Sequence, residues 1–494
     1  MPAPTPPAPS PEPAHIVERP SRRTRIRNTG TARQGPYRSG SVSATAPNLS
    51  SEPSRDRTDI HSPTASAPIE LPHLRQPADG IPPVIDRIQP LLEWCAAAEK
   101  VPDEPVAIDA ERASSFRYSH RAYLIQLRTD SAGTALIDPL AFAIPSTLRR
   151  VLSGREWVLH AASQDLPCLA ELDLVPTSLF DTELAARLLG MPRVGLGAVV
   201  EDTIGVSLAK EHSAADWSRR PLPQPWLAYA ALDVELLVKV RNVLAERLIQ
   251  AGKDEWARQE FDHLVRHGAR IQAPKPDAWR HVKGITKLVS PQQLAVLREL
   301  WLRRDDIARA EDLSPHRVLH DRVLIAIASR PPASREEFGS GIGKRLSRAD
   351  VWWRTIRSAL DLPACHWPGK AEPVVPPPPK LWGRKHPERA QILTRVRAAI
   401  TAEAEKLNLP QENLIPPAIV RSLIWEHGTE LNSLPQAEHT IATTLDALGA
   451  RPWQVAIAAP VIDQAIQAAP TDEDLPGSGK AKGPHRSDEH PATA

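Results

Sequence analysis

The run VAIDAE, residues 106–111, starts as an apolar strand and ends with two carboxylates, Asp109 and Glu111, two residues apart. Strand side chains alternate, so both acids project from one face of a sheet, where apolar residues ordinarily pack. Burying one unpaired carboxylate is expensive, and two on one face also repel each other. The chain must leave this strand end in solvent or bring positive charge to it.

The surroundings of this strand predict an α/β domain. AYLIQLRT (122–129) and GTALIDP (133–139) follow VAIDAE as short runs bounded by turn residues, which predicts a three-stranded meander. PSTLRRVLSG predicts a helix stopped by Gly154, EWVLHAA (156–162) a further strand, and SQDLPCLAELDL a helix capped by Ser163. PQPWLAYAALDVELLVKVRNVLAERLIQ (223–250) reads as one long amphipathic helix. Three strands in a row, then helix, strand and helices, predict a mixed sheet flanked by helices. Beyond Gly268 the strand patterns stop. Residues 277–360 predict a small helical bundle, 361–382 a Pro-rich linker and 383–468 a second helical domain.

Composition bounds the rest. Residues 1–80 are rich in Pro, Ser, Thr and Arg and poor in aliphatic side chains, and 470–494 are similarly polar; both predict disordered tails. The seven arginines between Arg19 and Arg38 suit a solubilising element better than a specific site. The opening MPAPTPPAPS has no charged segment leading into an apolar one, and no apolar run is long enough to span a bilayer. These features predict a cytoplasmic chain without membrane contact. Cys95, Cys168 and Cys365 form no CxxC pair or zinc-type spacing, which predicts neither disulfides nor structural zinc. Residues 101–250 carry 15 Lys and Arg against 19 Asp and Glu, whereas 280–357 carry 16 against 9. An acidic segment followed by a basic one is what a catalytic domain beside a polyanion-binding module shows.

Two more acids complete a set. Asp165 opens a helix just after a strand, and Asp233 shares a helical face with Tyr229, four residues earlier. Four clustered carboxylates repel one another unless divalent cations neutralise them, and the hard ions Mg²⁺ and Mn²⁺ prefer such oxygen donors. Two ions about 3.5–4 Å apart can stabilise the attacking and leaving oxygens of a phosphoryl displacement. A tyrosine beside them can orient or deprotonate the attacking water.

DAE with Tyr118 and LIQL behind it, HAASQDL, and YAALD resemble the three exonuclease motifs of the DEDD superfamily, in the subclass with tyrosine in the third motif. Their order, with DWSRRPL (216–222) upstream of the third, is similar to that of the ribonuclease D family. The resemblance implies a ribonuclease H-like exonuclease domain over 83–268. It also implies a 3′→5′ exoribonuclease releasing 5′-mononucleotides from single-stranded RNA 3′ ends, including tRNA and other structured precursors. In that role Asp109, Glu111, Asp165 and Asp233 hold two Mg²⁺ or Mn²⁺ ions and Tyr229 aligns the water. Ala110 stands where Thr is frequent, but its side chain faces away from the metals. Residues 277–360 are similar to an HRDC domain, the helical nucleic-acid-binding module shared with RecQ-type helicases, and 383–468 resemble a second, more divergent copy.

Other residues carry weaker signals. Tyr118, Trp217, Arg219 and Arg220 either touch the nucleic acid or pack against the domain. Lys283, Lys287, Arg303, Arg304, Arg309, Lys344 and Arg345 are phosphate-contact candidates as a group, though each alone reads as a solvated helix face. His160 reads as a satisfied half-buried histidine, Asp181 as a helix cap and Cys168 as a small core residue. GSGIGKR (339–345) and PGSGKAK (476–482) lack the GxxxxGK[ST] spacing and follow no strand, so no nucleoside triphosphate site is expected. The same acids would also serve a 3′→5′ exonuclease on DNA. A catalytically silent RNA-binding scaffold is the reading from another class, and the intact set of four acids argues against it.

Overall fold

The acid-bearing run forms the middle of a six-stranded sheet. The computed structural model describes residues 71–209, 214–270, 277–369, 375–431 and 437–468; the expectations for residues 1–70, for 469–494 and for PGSGKAK lie outside them. β1 (His73–Leu74) and β8 (Ser207–Leu208) make a separate parallel pair. The large sheet holds β2 (Val84–Ile85), β3 (Val106–Arg112), β4 (Ala122–Thr129), β5 (Gly133–Ile137), β6 (Glu156–Leu159) and β7 (Ser178–Asp181). Its order is β2-β5-β4-β3-β6-β7, with the meander β3–β5 antiparallel and the other pairings parallel, so the sheet is mixed. Nearly all of β4 is buried, as its almost unbroken apolar run requires of a strand covered on both faces.

The covering helices of this domain are α1 (Ile88–Ala98), α2 (Ser146–Ser153), α3 (Leu166–Ala170), α4 (Thr182–Leu188), α5 (Leu196–Ile204), α6 (Gln224–Glu235), α7 (Leu237–Gln250) and α8 (Asp254–His267). α2 buries Leu148, Val151 and Leu152 at helical spacing and stops at Gly154 as expected. Three local expectations change. The 223–250 helix is two helices, broken at Leu236, because Leu227, Ala230 and Ala231 of α6 and Val240, Leu244 and Leu248 of α7 pack into different parts of the core. The strand expected through residue 162 ends at Leu159, and Ser163 lies inside a short 3₁₀ turn, Ala162–Gln164, leaving Asp165 at the N-cap of α3. Residues 71–80, expected in the tail, are tied to the domain: Ser207 N–H donates to Pro72 O at 2.9 Å and Ala209 N–H to Leu74 O at 3.2 Å.

A helical bundle follows: α9 (Pro291–Glu311), α10 (Pro315–Val318), α11 (Asp321–Ser329), α12 (Arg335–Ser340) and α13 (Ala349–Leu360). Ser290 and Gln293 form a capping box at the start of α9, satisfying two N–H groups that the helix cannot. The bundle has its own core around Leu297, Leu300, Phe338 and Trp352. Residues expected in the linker fold onto it, with Arg280 donating to Gly369 O and Arg298 to His366 O, both at 3.2 Å.

One carboxylate, Asp312, joins this bundle to the sheet. It accepts from Ser119 N–H at 2.8 Å, Arg121 Nη2 at 2.9 Å and the Tyr123 hydroxyl at 3.1 Å. Partial burial alone would raise its pKa, but these hydrogen bonds hold it down to about 2, below an ordinary value of 3.8. A depressed folded-state pKa means that the stabilisation is present above about pH 4 and is lost as pH falls toward 2. Asp312→Asn is therefore expected to weaken this seam by about 2 kcal/mol at pH 7. Denaturant titrations of parent and variant across pH 7 to 2 check it: the gap should shrink below pH 4, and a constant gap refutes the assignment.

The last helices are α14 (Trp382–Lys385), α15 (Pro387–Lys406), α16 (Gln411–Leu414), α17 (Pro417–His427), α18 (Ala437–Ala447) and α19 (Pro452–Gln467). Their apolar interior is continuous with that of the sheet domain, and Trp382, expected in the linker, is fully buried in it. Polar contacts complete the junction. Lys253 Nζ, buried on the sheet domain, donates to Leu188 O and Leu407 O, each at 2.7 Å, and Trp453 Nε1 donates to Glu260 at 2.9 Å.

Candidate active site

β3 positions the first two acids. Asp109 lies opposite Gln126 and Glu111 opposite Leu124 on β4, so all four side chains share the face that α6 covers. A bulge between Glu111 and Arg112 breaks the alternation that would have sent Arg112 to the other face. Its guanidinium instead reaches to 3.8 Å from Asp165, supplying positive charge at the strand end. Strict period-2 reading hides Arg112, because a bulge leaves no mark in the residue pattern.

Carboxylate oxygens of Asp109, Glu111 and Asp233 all lie within 4.8 Å of one another. Asp165 stands outside that triple but lines the same cleft, of about 630 Å³, together with Tyr229, His160 and Arg112. Burial pushes Asp109 up to about 6, against the Ala110 N–H and Arg112, which pull it down. Burial, then the charges of Asp109, Asp233 and Asp165, hold Glu111 well above the ordinary carboxylate range. Asp165 and Asp233 are raised for the same reasons, burial first and Asp109 next. Burial and these acids also drive Tyr229 far above its ordinary value, so without a cation its phenol stays protonated and hydrogen-bonds Asp233.

This donor set suits a hard divalent cation. Three mutually repelling oxygens in one cleft lower their energy when a positive ion sits among them. Gln126, opposite Asp109, is fully buried, and neither of its amide atoms has a hydrogen-bond partner among the described residues. A ligand or an ordered water reaching that amide would satisfy it.

The neighbouring turn is built to hold Asp165. Asp181 caps α4 through the N–H groups of Glu183 and Leu184, and also accepts from Ala161 at 3.1 Å and Ala162 at 2.8 Å. Those bonds hold Ala161 in a left-handed conformation, φ 60°, just before Asp165. His160 is satisfied: the Thr182 hydroxyl donates to Leu159 O, so His160 Nδ1 donates to Thr182 Oγ1 at 2.9 Å, and burial lowers its pKa to about 4.

Four of the expected nucleic-acid contacts are structural instead. The Tyr118 hydroxyl donates to Asp305 at 3.1 Å under the Arg309 guanidinium, which places it in the seam to the bundle. Trp217 is fully buried against Trp226 and Tyr229, so its ring supports the cleft from behind. Arg220 clamps Asp138 with bonds of 2.6 and 2.9 Å and donates to Tyr123 O, which commits its guanidinium. Arg304 is buried and pairs with Asp321 at 2.6 Å. Lys283, Lys287, Arg303, Lys344 and Arg345 are exposed.

The comparisons with known proteins agree with this geometry. Residues 83–249 match the family model described as 3'-5' exonuclease, and 293–349 match the HRDC domain model. The ribonuclease D of Pseudomonas paraeruginosa is 32% identical over 334 residues, covering 65% of this chain and 85% of that protein. The chain belongs to the ribonuclease D family. Among solved structures, a protein from Bifidobacterium adolescentis is similar with a TM-score of 0.74 and 37% identity, over 81% of this chain and all of that one. Escherichia coli RNase D, described as an exoribonuclease involved in structured RNA processing, has a TM-score of 0.54 and 26% identity, over 72% of this chain and 96% of that one. Residues 375–466 match a separate model, the 3' to 5' exonuclease C-terminal domain, where a second HRDC copy had been expected. No helix among the described residues is long and apolar enough to cross a membrane.

Proposed function

We propose that the acid-lined cleft removes 5′-mononucleotides one at a time from the 3′ ends of single-stranded RNA, using two divalent cations. As a member of the ribonuclease D family, the chain is a 3′→5′ exoribonuclease. The observation that carries the site reading is the convergence of Asp109, Glu111 and Asp233 within 4.8 Å, beside Asp165 and Tyr229 in one cleft. Asp109, Glu111, Asp165 and Asp233 are the residues that would hold the cations. Bound there, the cations would polarise the scissile phosphodiester and acidify the attacking water. Tyr229, its hydroxyl oriented by Asp233, aligns that water. Arg112 balances part of the acid charge at Asp165. Exposed Lys283, Lys287, Arg303, Lys344 and Arg345 hold the strand by its phosphates. Structured RNA precursors are the proposed substrates, by analogy with the Escherichia coli relative.

A time course on 5′-labelled single-stranded RNA and its DNA equivalent, with Mg²⁺, with Mn²⁺ and with chelator, tests this. A cation-dependent ladder shortening from the 3′ end of RNA alone is the expected result. Equal cutting of DNA would make the enzyme a general exonuclease, because no ribose 2′-hydroxyl would then be required.

A further inference from the structure

A second cleft, of about 480 Å³, adjoins the first, and Tyr229 and Ala209 line both. The two differ in charge. Five acids line the first cleft, Asp109, Glu111, Asp165, Glu183 and Asp233, whereas none lines the second, which instead presents His73 and Arg75. The same cleft is also lined by apolar side chains, Ile81, Pro225, Ala228 and Leu232.

The segment carrying His73 and Arg75 lies before the residues that match the exonuclease model, which begin at 83. It is fixed in place: β1 pairs with β8, Ala78 N–H donates to Glu235 at 2.9 Å, and Asp79 pairs with Arg128 at 3.0 Å. Arg75 itself is exposed, and no hydrogen bond or ion pair engages it among the described residues. A cation left unpaired on a well-anchored strap, in a cleft that apolar side chains also line, presents what a nucleotide needs: charge for a phosphate and a surface for a base.

The geometry points to this cleft as a subsite for the nucleotide on the 5′ side of the scissile bond, with Arg75 on an upstream phosphate. The assignment rests on the exonuclease reading of the first cleft. The 3′-terminal nucleotide owns a single phosphodiester, and that one must lie over the acids. Any phosphate that meets a cation outside the acid cleft therefore belongs to an upstream nucleotide. The strap thus measures whether a substrate extends beyond its last bond, and longer RNA gains affinity from it that a minimal substrate does not.

The test uses the full chain with Mg²⁺ and two substrates sharing a 3′ end: a 5′-hydroxyl diribonucleotide, with one phosphodiester, and a hexaribonucleotide. Arg75→Ala is expected to raise KM for the hexamer about tenfold with kcat within about twofold, leaving the dinucleotide kinetics unchanged. Arg75→Lys should keep most of the hexamer affinity, and Arg75→Ala should lower the slope of log(kcat/KM) against log salt by about 0.7, one single-strand phosphate. Equal losses on both substrates, or no change on either, overturn the subsite while leaving the exonuclease intact. Failure of the unmodified protein to cut either substrate overturns the exonuclease reading, and the subsite falls with it.

Discussion

Asp109→Asn is expected to reduce hydrolysis of single-stranded RNA by about 10³-fold or more, and at the same time to raise the melting temperature of the metal-free protein. Both effects have one cause. Asp109 sits within 4.8 Å of Glu111 and Asp233 and contributes to the raised pKa of Glu111, Asp165, Tyr229 and Asp233. Replacing its carboxylate with an amide keeps the shape, removes a charge from a self-repelling buried set, and replaces one of the anionic oxygens that would hold a cation. Function and stability therefore oppose each other at this residue, as they do wherever a site is held in an unfavourable charge state.

Thermal melts in chelator and in saturating Mg²⁺, beside single-turnover rates, separate the two effects. The parent protein should gain stability on adding Mg²⁺, while Asp109→Asn should gain little, because the cation finds fewer donors. A variant that loses activity yet keeps the full Mg²⁺-dependent rise in melting temperature would move Asp109 from cation binding to substrate contact. A variant that loses stability in chelator would contradict the repulsion argument.

The acids themselves were legible in the sequence because alternation on a strand and four-residue spacing on a helix are rigid geometric rules. Asp109 and Glu111 follow from the first, and Tyr229 and Asp233 from the second. Arg112 was not legible, since its orientation depends on a one-residue bulge, and pairing register is a property of two strands. The helix break at Leu236 escaped for a similar reason: α6 and α7 carry one continuous apolar pattern, and the change of packing partner shows only once the sheet is in place. Trp217, Arg220 and Arg304 illustrate a different limit. Aromatic and guanidinium side chains serve interiors and nucleic acids equally well, and burial decides between them. The strap at residues 71–80 reads as tail because its apolar content is low; backbone hydrogen bonds from Ser207 to Pro72 and from Ala209 to Leu74 hold it instead.

The junction with the last helical domain supplies the largest expected structural effect. Gly190 has φ +70°, and a Cβ there would run into the backbone oxygen and side chain of Asn408 across the junction. Gly190→Ala is therefore expected to destabilise this docking by about 2–4 kcal/mol, of which about 1–2 kcal/mol is left-handed backbone strain. Gly252→Ala isolates the strain, because Gly252 has φ +64° with nothing within 4 Å of the added atom. Trp453→Ala attacks the same junction from the other side: its ring stacks on Trp256 at 4.9 Å and its N–H satisfies buried Glu260, so about 3–5 kcal/mol should be lost. Denaturant unfolding followed by tryptophan fluorescence, with limited proteolysis, should show a separate early transition of residues 382–467 in Gly190→Ala and Trp453→Ala but not in Gly252→Ala. Coincident transitions in all three would mean that the continuous apolar core, not these contacts, sets the docking energy. None of Gly190, Lys253, Glu260 or Trp453 lines the acid cleft, so hydrolysis of a short RNA should persist in both junction variants at temperatures where the sheet domain stays folded. A parallel loss of activity would show that the last domain shapes the cleft through α8, on which it docks, and α7.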